Sequence, residues 1–256
     1  MAAAAQNYPL PVTADTPMQF AVVRSNNPGC EPTCPEWIAA EGKIVSGSPG
    51  RLKALFKRSG GRRLPLVLHS PGGDVDAAMA LGRFIRENKL DTMVGRTLFA
   101  HCAPPETKCH VNDRKRVYQG STLEFSAECL SACPFVLAAG KRRAANCFAC
   151  VGVHAIVTEW TVTKKRKGKT RTTREVRPIT KSYRRKIEKY FGEMGIGAWI
   201  VTAMQDTPND QIRYLAPSEV MFVSLAWGGV HDLTANAACA TDPIAQNCRT
   251  VEKTTQ

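Results

Sequence analysis

Residues 64–88 read LPLVLHSPGGDVDAAMALGRFIREN, and this stretch decides the fold. Its first part, Leu64 to His69, is a short apolar run of the kind found in buried parallel strands. The SPGG sequence at 70–73 then predicts a tight turn. From residue 74 onwards apolar residues recur every three or four positions, which places them on one face of a helix. The stretch therefore predicts the strand, turn and helix that open a parallel βαβ unit.

The same alternation extends in both directions along the chain. Further strands are expected at 20–23, 37–45, 92–94, 151–157 and 220–223. Further helices are expected at 51–57, 130–139 and 181–204. Without a repeat or a clean linker, the sequence predicts one α/β domain with a mostly parallel sheet. This domain would span 19–232, between an extended lead-in at 1–18 and an irregular tail at 233–256.

The 256-residue chain has ordinary globular composition but a net charge of +13. Hydrophobic residues make up 43% and charged residues 22%, which argues against wholesale disorder. Between Lys164 and Lys189 lie 13 basic and 2 acidic residues, whereas the rest of the chain is nearly neutral. A basic groove over the whole surface, as in many nucleic-acid binders, is not indicated. No apolar run reaches the roughly 18 residues that predict a transmembrane helix.

The cysteines indicate an oxidised protein. By proximity in sequence they fall into the pairs Cys30/Cys34, Cys102/Cys109, Cys129/Cys133, Cys147/Cys150 and Cys239/Cys248. The even count favours disulfides, while the spacing leaves the connectivity open. A zinc site would need two CxxC-type pairs, and only the fourth pair has that spacing. We therefore expect disulfides and no bound metal.

The N-terminal residues bear on the compartment. Met1–Gln6 has neither a cationic start nor a long apolar run, so it does not itself resemble a signal peptide. Together with the cysteines, it fits a chain from which a signal peptide has been removed. The sequence thus predicts a periplasmic or otherwise exported protein.

Three short motifs carry candidate chemistry. In SPGG at 70–73, glycines can present backbone N–H groups at a helix start, which suits a developing oxyanion; a plain βα turn is the alternative. Ser131, within ECLSACP at 128–134, is either a nucleophile or a cap of the apolar helix that follows. His154, in the apolar strand VGVHAI, is either a general base or a hydrogen-bonded core histidine.

In this order, the motifs resemble the Clp protease proteolytic subunit and its relatives of the ClpP/crotonase fold. Downstream, QDTPND at 205–210, YLAPSE at 214–219 and WGGVHD at 227–232 resemble the family's acidic motif, helix start and closing turn. The likeness runs from about Trp37 to Asp232. It is strongest toward exported ClpP-like proteins of bacteria, which share the stretches CPEWIAAEG and SACPF.

The resemblance implies a spiral of βαβ units and a serine peptidase with an acyl-enzyme mechanism. By position, Ser131 would be the nucleophile and His154 the base. Asp210 would orient the histidine, with Asp206 in reserve, because the gap to the next motif is two residues longer here than in the family. No cofactor is implied. The partners would be a peptide or protein substrate and further copies of the chain in a homo-oligomer.

The resemblance also assigns the oxyanion hole to the N–H groups of Gly73 and Ala132. The sequence departs from the family just before the nucleophile, where small residues are replaced by those at 128–130. In addition, Cys129 and Cys133 bracket the serine. If that stretch is helical, the two lie about 6 Å apart along the axis, near the limit for a disulfide.

The basic segment at about 161–189 is expected to be an insertion that includes a solvent-exposed hairpin with Gly168 near its tip. A plain solvated hairpin is the simplest interpretation. The functional alternatives are contact with an anionic membrane surface or envelope polymer through Lys164–Lys189, or capture of acidic substrates. Nucleic acid is disfavoured because aromatic residues are sparse here: Tyr183 is the single one within Lys164–Lys189, and Tyr190 follows that run.

Three functions from different classes stay open. The favoured one is an ATP-independent serine peptidase of the cell envelope, because a cytosolic unfoldase could not reach an exported protein. The second is a non-catalytic ClpP-fold envelope protein that binds peptides or anionic surfaces, and whose function would survive Ser131→Ala. The third is a crotonase-like acyl-CoA enzyme, which would need neither Ser131 nor His154 and would be stabilised by coenzyme A.

Overall fold

The computed structural model describes residues 15–106, 117–145, 149–166, 169–227, 231–241 and 243–250. The strands are β1 (Gln19–Ser25), β2 (Thr33–Glu41), β3 (Leu66–His69), β4 (Thr92–Val94), β5 (Arg96–Phe99), β6 (Val117–Leu123), β7 (Ala127–Leu130), β8 (Arg143–Ala144), β9 (Ala149–Val153), β10 (Val157–Arg166), β11 (Lys169–Pro178), β12 (Arg213–Tyr214) and β13 (Cys248–Thr250). The helices are α1 (Ser48–Arg58), α2 (Val75–Glu87), α3 (Cys133–Ala138), α4 (Lys181–Glu193), α5 (Trp199–Gln205), α6 (Pro217–Phe222) and α7 (His231–Thr234), with a 3-10 helix at Asn236–Cys239. Together they form a mixed α/β domain.

Eight strands form one large sheet, in the order β5-β6-β1-β2-β3-β4-β8 with β13 beside β2. Where a helix connects neighbours, as α1 connects β2 to β3 and α2 connects β3 to β4, the strands are parallel. The segment 26–32 that joins β1 to β2 is too short for such a crossover, and these two strands are antiparallel. The pairs β5–β6 and β2–β13 are antiparallel as well. The prediction of a mostly parallel sheet is therefore wrong at three pairs, and the sheet is mixed.

A smaller sheet of three strands, β7, β9 and β12, brings the predicted motifs together. Strands β7 and β9 are parallel, with Leu130 opposite Gly152. An isolated bridge between Ser70 and Cys129 joins this sheet to the end of β3. The carboxyl ends of β3, β7 and β9 therefore meet, and each of the three motifs follows one of these ends.

Apolar side chains cover both faces of the large sheet. On one face α2, α3 and α4 share a core in which the rings of Phe135 and Phe191 lie 4.6 Å apart, centre to centre. The buried hydroxyl of Tyr190 donates to the Phe135 carbonyl oxygen at 2.6 Å, so this polar group is satisfied. The other face carries a smaller cluster around Trp37, whose Nε1 donates to Thr97 Oγ1 at 3.0 Å. The larger core fixes α3, the helix that follows the predicted nucleophile.

Two predicted helices begin or end elsewhere. Residues 130–139 do not form one helix, because Leu130 still pairs in β7 and α3 begins only at Cys133. Residues 181–204 are divided into α4 and α5. The break follows Met194 at Gly195, whose φ of 68° is the left-handed conformation that commonly ends a helix.

Two further predictions near the C-terminus are wrong. Residues 220–222 belong to α6 and Val223 is its C-cap, so no strand forms there. Pro217 begins the helix, and Glu219 accepts from the Ala216 N–H at 2.9 Å. The tail at 233–256 is not irregular throughout. It contains the 3-10 helix and β13, which pairs with the first residues of β2.

Three of the predicted cysteine pairs are disulfides in the described residues, namely Cys30–Cys34, Cys129–Cys133 and Cys239–Cys248. Cys102 is also disulfide-bonded, and its predicted partner Cys109 lies outside the described residues. Cys150 is a free and exposed cysteine in β9. The predicted pair of Cys147 with Cys150 is therefore wrong; Cys147 itself lies outside the described residues.

The basic segment begins with a long antiparallel hairpin. Strands β10 and β11 pair from Val157 opposite Pro178 to Arg166 opposite Lys169. The predicted hairpin is thus confirmed and is longer than expected, while Gly168 lies outside the described residues. Among the helices that the structure describes, none has the length and apolar character that crossing a membrane requires.

Candidate active site

Ser70 holds the SPGG turn in place from a fully buried position. Its hydroxyl donates to the Gly42 carbonyl oxygen at 2.7 Å and accepts from the Gly72 N–H at 3.1 Å. Its backbone N–H donates to the Glu128 carbonyl oxygen at 2.8 Å, and its own carbonyl oxygen accepts from the Leu130 N–H at 3.0 Å. Ser70 therefore fastens the turn both to the end of β2 and to β7, the strand that leads to the predicted nucleophile.

Both glycines of the turn are required by space and by backbone conformation. Gly72 and Gly73 have φ values of 97° and 133°, which L side chains rarely adopt. A Cβ on Gly72 would lie 2.5 Å from the Ser131 Cβ and 2.8 Å from the Ala132 nitrogen. A Cβ on Gly73 would lie 2.1 Å from the Ile44 carbonyl oxygen. The turn thus lies directly against the segment that carries Ser131.

Ser131 occupies the sharp turn between β7 and α3. Its φ is 59°, in the left-handed region that residues other than glycine seldom adopt and that recurs at functional turns. Its N–H donates to the Gly152 carbonyl oxygen of β9 at 2.9 Å. The backbone is therefore tied to β9, and the hydroxyl is directed toward the residues that follow that strand.

His154 follows β9 and lies within hydrogen-bonding distance of Ser131. Its Nε2 lies 2.7 Å from Ser131 Oγ, and its Nδ1 lies 3.0 Å from the Ala155 carbonyl oxygen. Because a carbonyl oxygen can only accept, Nδ1 carries the proton in the neutral ring. Nε2 is then the acceptor, and the Ser131 hydroxyl donates to it. Such a pair has the arrangement of a nucleophile and its general base.

The predicted third member of the triad is not in contact with His154. Asp206 follows α5 and Asp210 lies in the next turn; both are exposed. Within the described residues neither aspartate makes a hydrogen bond or ion pair with the histidine, and the Ala155 carbonyl is the partner of Nδ1. The loop is nevertheless adjacent, because the Ala155 N–H donates to the Thr207 carbonyl oxygen at 2.8 Å. The role of either aspartate stays a prediction.

In the part of the chain that the structure describes, the two N–H groups predicted to bind an oxyanion have no acceptor. Ile44 bonds to the residues on either side of Gly73, through Gly72 O and Asp74 N, so the Gly73 N–H points away from Ile44. Ala132 is fully buried, and its N–H also has no acceptor among the described residues. A buried N–H without a partner is costly and rare, which favours a ligand at this position.

A cleft of about 570 Å³ opens over Ser131 and His154. One wall is the turn and the start of α2, and the other is the start of β10 with Ile179. Pockets of this volume are typical of ligand sites. The cleft is therefore large enough for several residues of a peptide around the serine.

Charged groups at the cleft are paired. Asp76 accepts from Lys186 Nζ at 2.7 Å and from the Tyr183 hydroxyl at 3.0 Å. The Lys186 ammonium holds the pKa of Asp76 below its usual range. Burial, with the Asp76 carboxylate as a further cause, raises the pKa of Tyr183. Near neutral pH, the Asp76 carboxyl group is therefore ionised and the Tyr183 phenol keeps its proton.

A second cavity, of about 450 Å³, lies behind the β10 wall. Its lining is mainly apolar, with Ile156, Ile179 and Met204 among the residues, and Lys181 and Arg184 supply cations. It shares Ile156, Val157 and Ile179 with the cleft over Ser131 and His154. The base of the hairpin thus separates the two cavities.

Two titratable groups beneath the site, the buried Glu41 and the half-buried His69, are not among the predicted site residues. Glu41 ends β2 opposite His69 in the parallel register and accepts from the Thr97 N–H at 2.6 Å. Burial raises the pKa of Glu41 to about 7. Burial, followed by the nearby Arg96 guanidinium, lowers the pKa of His69 to about 4, and its Nδ1 accepts from the Glu128 N–H. The sequence offers one signal for Glu41, its place directly after the apolar residues 37–40, and this signal does not reveal the environment of the carboxyl group.

No residue set at the site has the character of a metal centre. Among the described residues, the one group of three close metal-ligating side chains is Cys30, Glu31 and Cys34. Its two cysteines form a disulfide and so offer no thiolates.

No family model matches the chain, and no curated protein matches it. Among solved structures, it is similar to two of the 1510-N membrane-bound stomatin-specific protease, one a serine-to-alanine mutant and one a lysine-to-alanine mutant in complex with a substrate peptide. Both are 14% identical with a TM-score of 0.47, over 83% of this chain and 88% and 84% of theirs. Neither is described as an exported bacterial protein, so that part of the resemblance stays a prediction. What the site can do is inferred below from its own geometry.

Proposed function

We propose that the protein is a serine peptidase in which Ser131 is the nucleophile and His154 the general base. The observation that carries the proposal is the 2.7 Å contact between Ser131 Oγ and His154 Nε2, made by a serine with a left-handed φ at the floor of an open cleft. A serine that merely capped α3 would have no need of this conformation. A histidine that merely satisfied the core would not need to face the cleft.

The geometry supports a two-step acyl-enzyme reaction. Ser131 Oγ attacks the carbonyl carbon of a bound peptide while its proton passes to His154 Nε2. The N–H groups of Gly73 and Ala132 stabilise the oxyanion that forms. His154 then gives the proton to the leaving amine, which leaves an acyl-serine. Water, deprotonated by the same nitrogen, releases the second product and restores the hydroxyl.

The orientation of His154 is the step where the structure and the sequence differ. We assign this role to the Ala155 carbonyl oxygen, which fixes the required tautomer. Asp210, with Asp206 in reserve, is the competing assignment. Asp210→Asn and Asp206→Asn should each change the rate of serine acylation by less than about threefold. A loss of about 10⁴-fold in either, as expected for a triad aspartate, would instead favour the triad.

We further propose that the peptidase works outside the reducing cytosol and without ATP. The support is the set of disulfides, which persist in oxidising compartments. An exported peptidase has no access to a cytosolic unfoldase, so its substrates would be peptides or unfolded segments. Reduction of the intact protein should lower its melting temperature. An unchanged melt would contradict the export argument.

A fluorophosphonate probe tests the central proposal, because it reacts with activated serines and needs no knowledge of the substrate. We expect labelling of the oxidised full chain at Ser131, identified by mass spectrometry, and none in Ser131→Ala. Ser126→Ala is a matched control, since Ser126 also has a positive φ of 58° but is exposed and does not line the cleft. Labelling that persists in Ser131→Ala, or folded parent protein that stays unlabelled, would overturn the assignment.

A specific observation favours an additional contact with anionic surfaces. The β10–β11 hairpin carries exposed side chains that include Lys165 and Arg177, and it is followed by the exposed Lys181, Arg185 and Lys189 of α4. We propose that this basic surface binds anionic envelope polymers or lipids through charge attraction. Binding to anionic but not neutral vesicles, and its loss as salt is raised, is the test; equal binding to both would contradict the proposal.

A further inference from the structure

A disulfide closes a ring of five residues around the nucleophile. Cys129 and Cys133 are bonded to each other, their Cα atoms lie 5.1 Å apart, and both residues are fully buried. Cys129 belongs to β7 and Cys133 begins α3. The bond therefore spans the turn from strand to helix, with Ser131 at its centre.

The ring contains two backbone features that are unfavourable in free energy. Ser131 has a φ of 59°, and the buried Ala132 N–H has no acceptor among the described residues. Ala132 stands at the N-cap of α3 without a capping side chain. Each feature raises the free energy of this conformation relative to an ordinary helix start. Something must therefore hold the turn in this form.

Hydrogen bonds hold only the strand side of the ring. There the Leu130 N–H donates to Ser70 O at 3.0 Å and the Ser131 N–H donates to Gly152 O at 2.9 Å. On the helix side, the first bond is a long one of 3.3 Å from the Phe135 N–H to Ala132 O. Packing in the core holds α3 as a whole, and the disulfide adds a covalent link from its first residue to β7.

We propose that the Cys129–Cys133 disulfide is a positioning element for catalysis: it holds Ser131 in the left-handed conformation and keeps the Ala132 N–H directed at the oxyanion position. This inference rests on the proposed function, whose chemistry it refines. The disulfide takes no part in turnover and exchanges no electrons with the substrate. It acts through Ser131 and Ala132, by fixing the distance from Oγ to Nε2 and the direction of one N–H donor.

The other described disulfides lack this relation to the site and provide the controls. Cys30–Cys34 links the turn before β2 to the second residue of β2. Cys239–Cys248 links the 3-10 helix at Asn236–Cys239 to β13. Neither encloses a residue of the cleft. All three bonds close short loops, so each restricts the unfolded chain by a similar amount. A difference between them in activity would therefore reflect position rather than general stabilisation.

The test compares the double variant C129A/C133A with C239A/C248A in the full, oxidised chain. The rate constant for fluorophosphonate labelling of Ser131 should fall at least tenfold in the first and stay within twofold in the second, since a displacement of about 1 Å can lower a rate about 100-fold. In hydrolysis of a p-nitrophenyl ester, kcat should fall while KM is unchanged. Labelling of C129A/C133A at the parent rate would overturn the proposal.

A second measurement keeps the inference independent of activity and of how well the variant folds. Hydrogen exchange of the peptide that contains Ser131 should become faster when a dithiol reduces the Cys129–Cys133 bond of the parent protein, which yields two buried thiols and one oxidised dithiol. Mass spectrometry after alkylation reports which bond has opened. Unchanged exchange at residues 129–133 after this bond has opened would overturn the positioning role. If exchange becomes faster but the fluorophosphonate never labels the parent protein, the positioning role of the disulfide stands. The proposed function is then refuted instead.

Discussion

The two walls of the cleft are built in opposite ways. On the nucleophile side, Ser131 is enclosed by a disulfide ring and touched by a turn whose glycines leave no room for a Cβ. On the hairpin side, β10 and β11 extend from the cleft and present exposed residues such as Lys165 and Val176. Ser131 is thus held in place by buried backbone, whereas the opposite wall continues into an exposed surface with charged side chains. Substitutions on the Ser131 side should change the labelling rate of Ser131. Substitutions on the hairpin should change only the binding of anionic surfaces.

The largest effect is expected at the contact that joins the nucleophile to its base. His154→Ala should lower the labelling rate of Ser131 by about 10⁴-fold, because the hydroxyl loses its proton acceptor. The matched control is His101→Ala, an exposed histidine outside the cleft. Both variants should melt within a few degrees of the parent. Comparable labelling in His154→Ala would remove the base from the mechanism.

A large effect on both stability and rate is expected for Gly72→Ala. The new Cβ would meet the Ser131 Cβ at 2.5 Å, so the turn or the serine must move. We expect destabilisation of about 3 kcal/mol and a loss of labelling of about 100-fold. Gly60→Ala is the control, because Gly60 has a φ of 76° but nothing within 4 Å of its added Cβ. It should show only the conformational cost of about 1 kcal/mol. Equal effects at the two glycines would show that crowding against Ser131 is unimportant.

An effect of pH on the free energy of unfolding is expected from Glu41, which is buried beneath the Ser131 side of the cleft. The pKa of Glu41 is raised from 4.5 to about 7, so the folded state holds the proton more tightly than the unfolded chain. The resulting stabilisation is complete below pH 4.5 and is lost as the pH rises through 7. Glu41→Gln keeps an acceptor for the Thr97 N–H and has no proton to lose. Relative to this variant, the parent should lose about 3 kcal/mol of unfolding free energy between those pH values.

Urea denaturation at several pH values measures this difference. The lowered pKa of His69 makes the folded state less stable as the pH falls from 6.5 toward about 4, but this contribution is common to both proteins and cancels. Parallel stability profiles for the parent and Glu41→Gln would show that Glu41 is ionised at the same pH in the folded and unfolded chain.

The smallest effect on the enzyme is expected on the hairpin. Lys165→Gln and Arg177→Gln together should change the free energy of unfolding by less than about 0.5 kcal/mol, since both side chains are exposed and Arg177 makes only a surface ion pair with Glu175. Labelling of Ser131 should stay within twofold, while binding to anionic vesicles should weaken. A large loss of labelling would show that the two walls are coupled.

The sequence predicted those parts of the site that depend on local patterns. SPGG follows the apolar run 64–69 and His154 lies in the apolar run 151–157, and both runs predict strands. The strand that leads to Ser131, β7, was not predicted, because Glu128 interrupts its apolar residues. Ser131 was identified from the order of the three motifs. The partner of His154 was not predictable in this way, because it is a backbone carbonyl and leaves no trace in residue type. The buried Glu41 was equally hidden, since its environment is assembled from β2, β3 and β5.

Parts of the fold were also beyond local patterns. The direction of a strand depends on the length and route of its connection, so the antiparallel partners of β1, β5 and β13 could not be read from their own residues. Residues 220–223 are apolar in either a strand or a helix, and the Pro217 that begins α6 decides between them. The predicted helix 181–204 is longer than α4 because its apolar periodicity continues past Gly195, where the left-handed backbone ends the helix.

The pairing of β13 with β2 has a consequence for the order in which the protein is made. Thr33–Pro35 find their partners in residues that leave the ribosome more than 200 residues later. Until then this end of β2 is an open strand edge, able to pair with a neighbouring nascent chain. The Cys239–Cys248 bond closes beside the late partner and can form only after it has arrived. Formation of the Cys239–Cys248 disulfide would therefore fix β13 beside β2 and cover a strand edge that stays unpaired until late in synthesis.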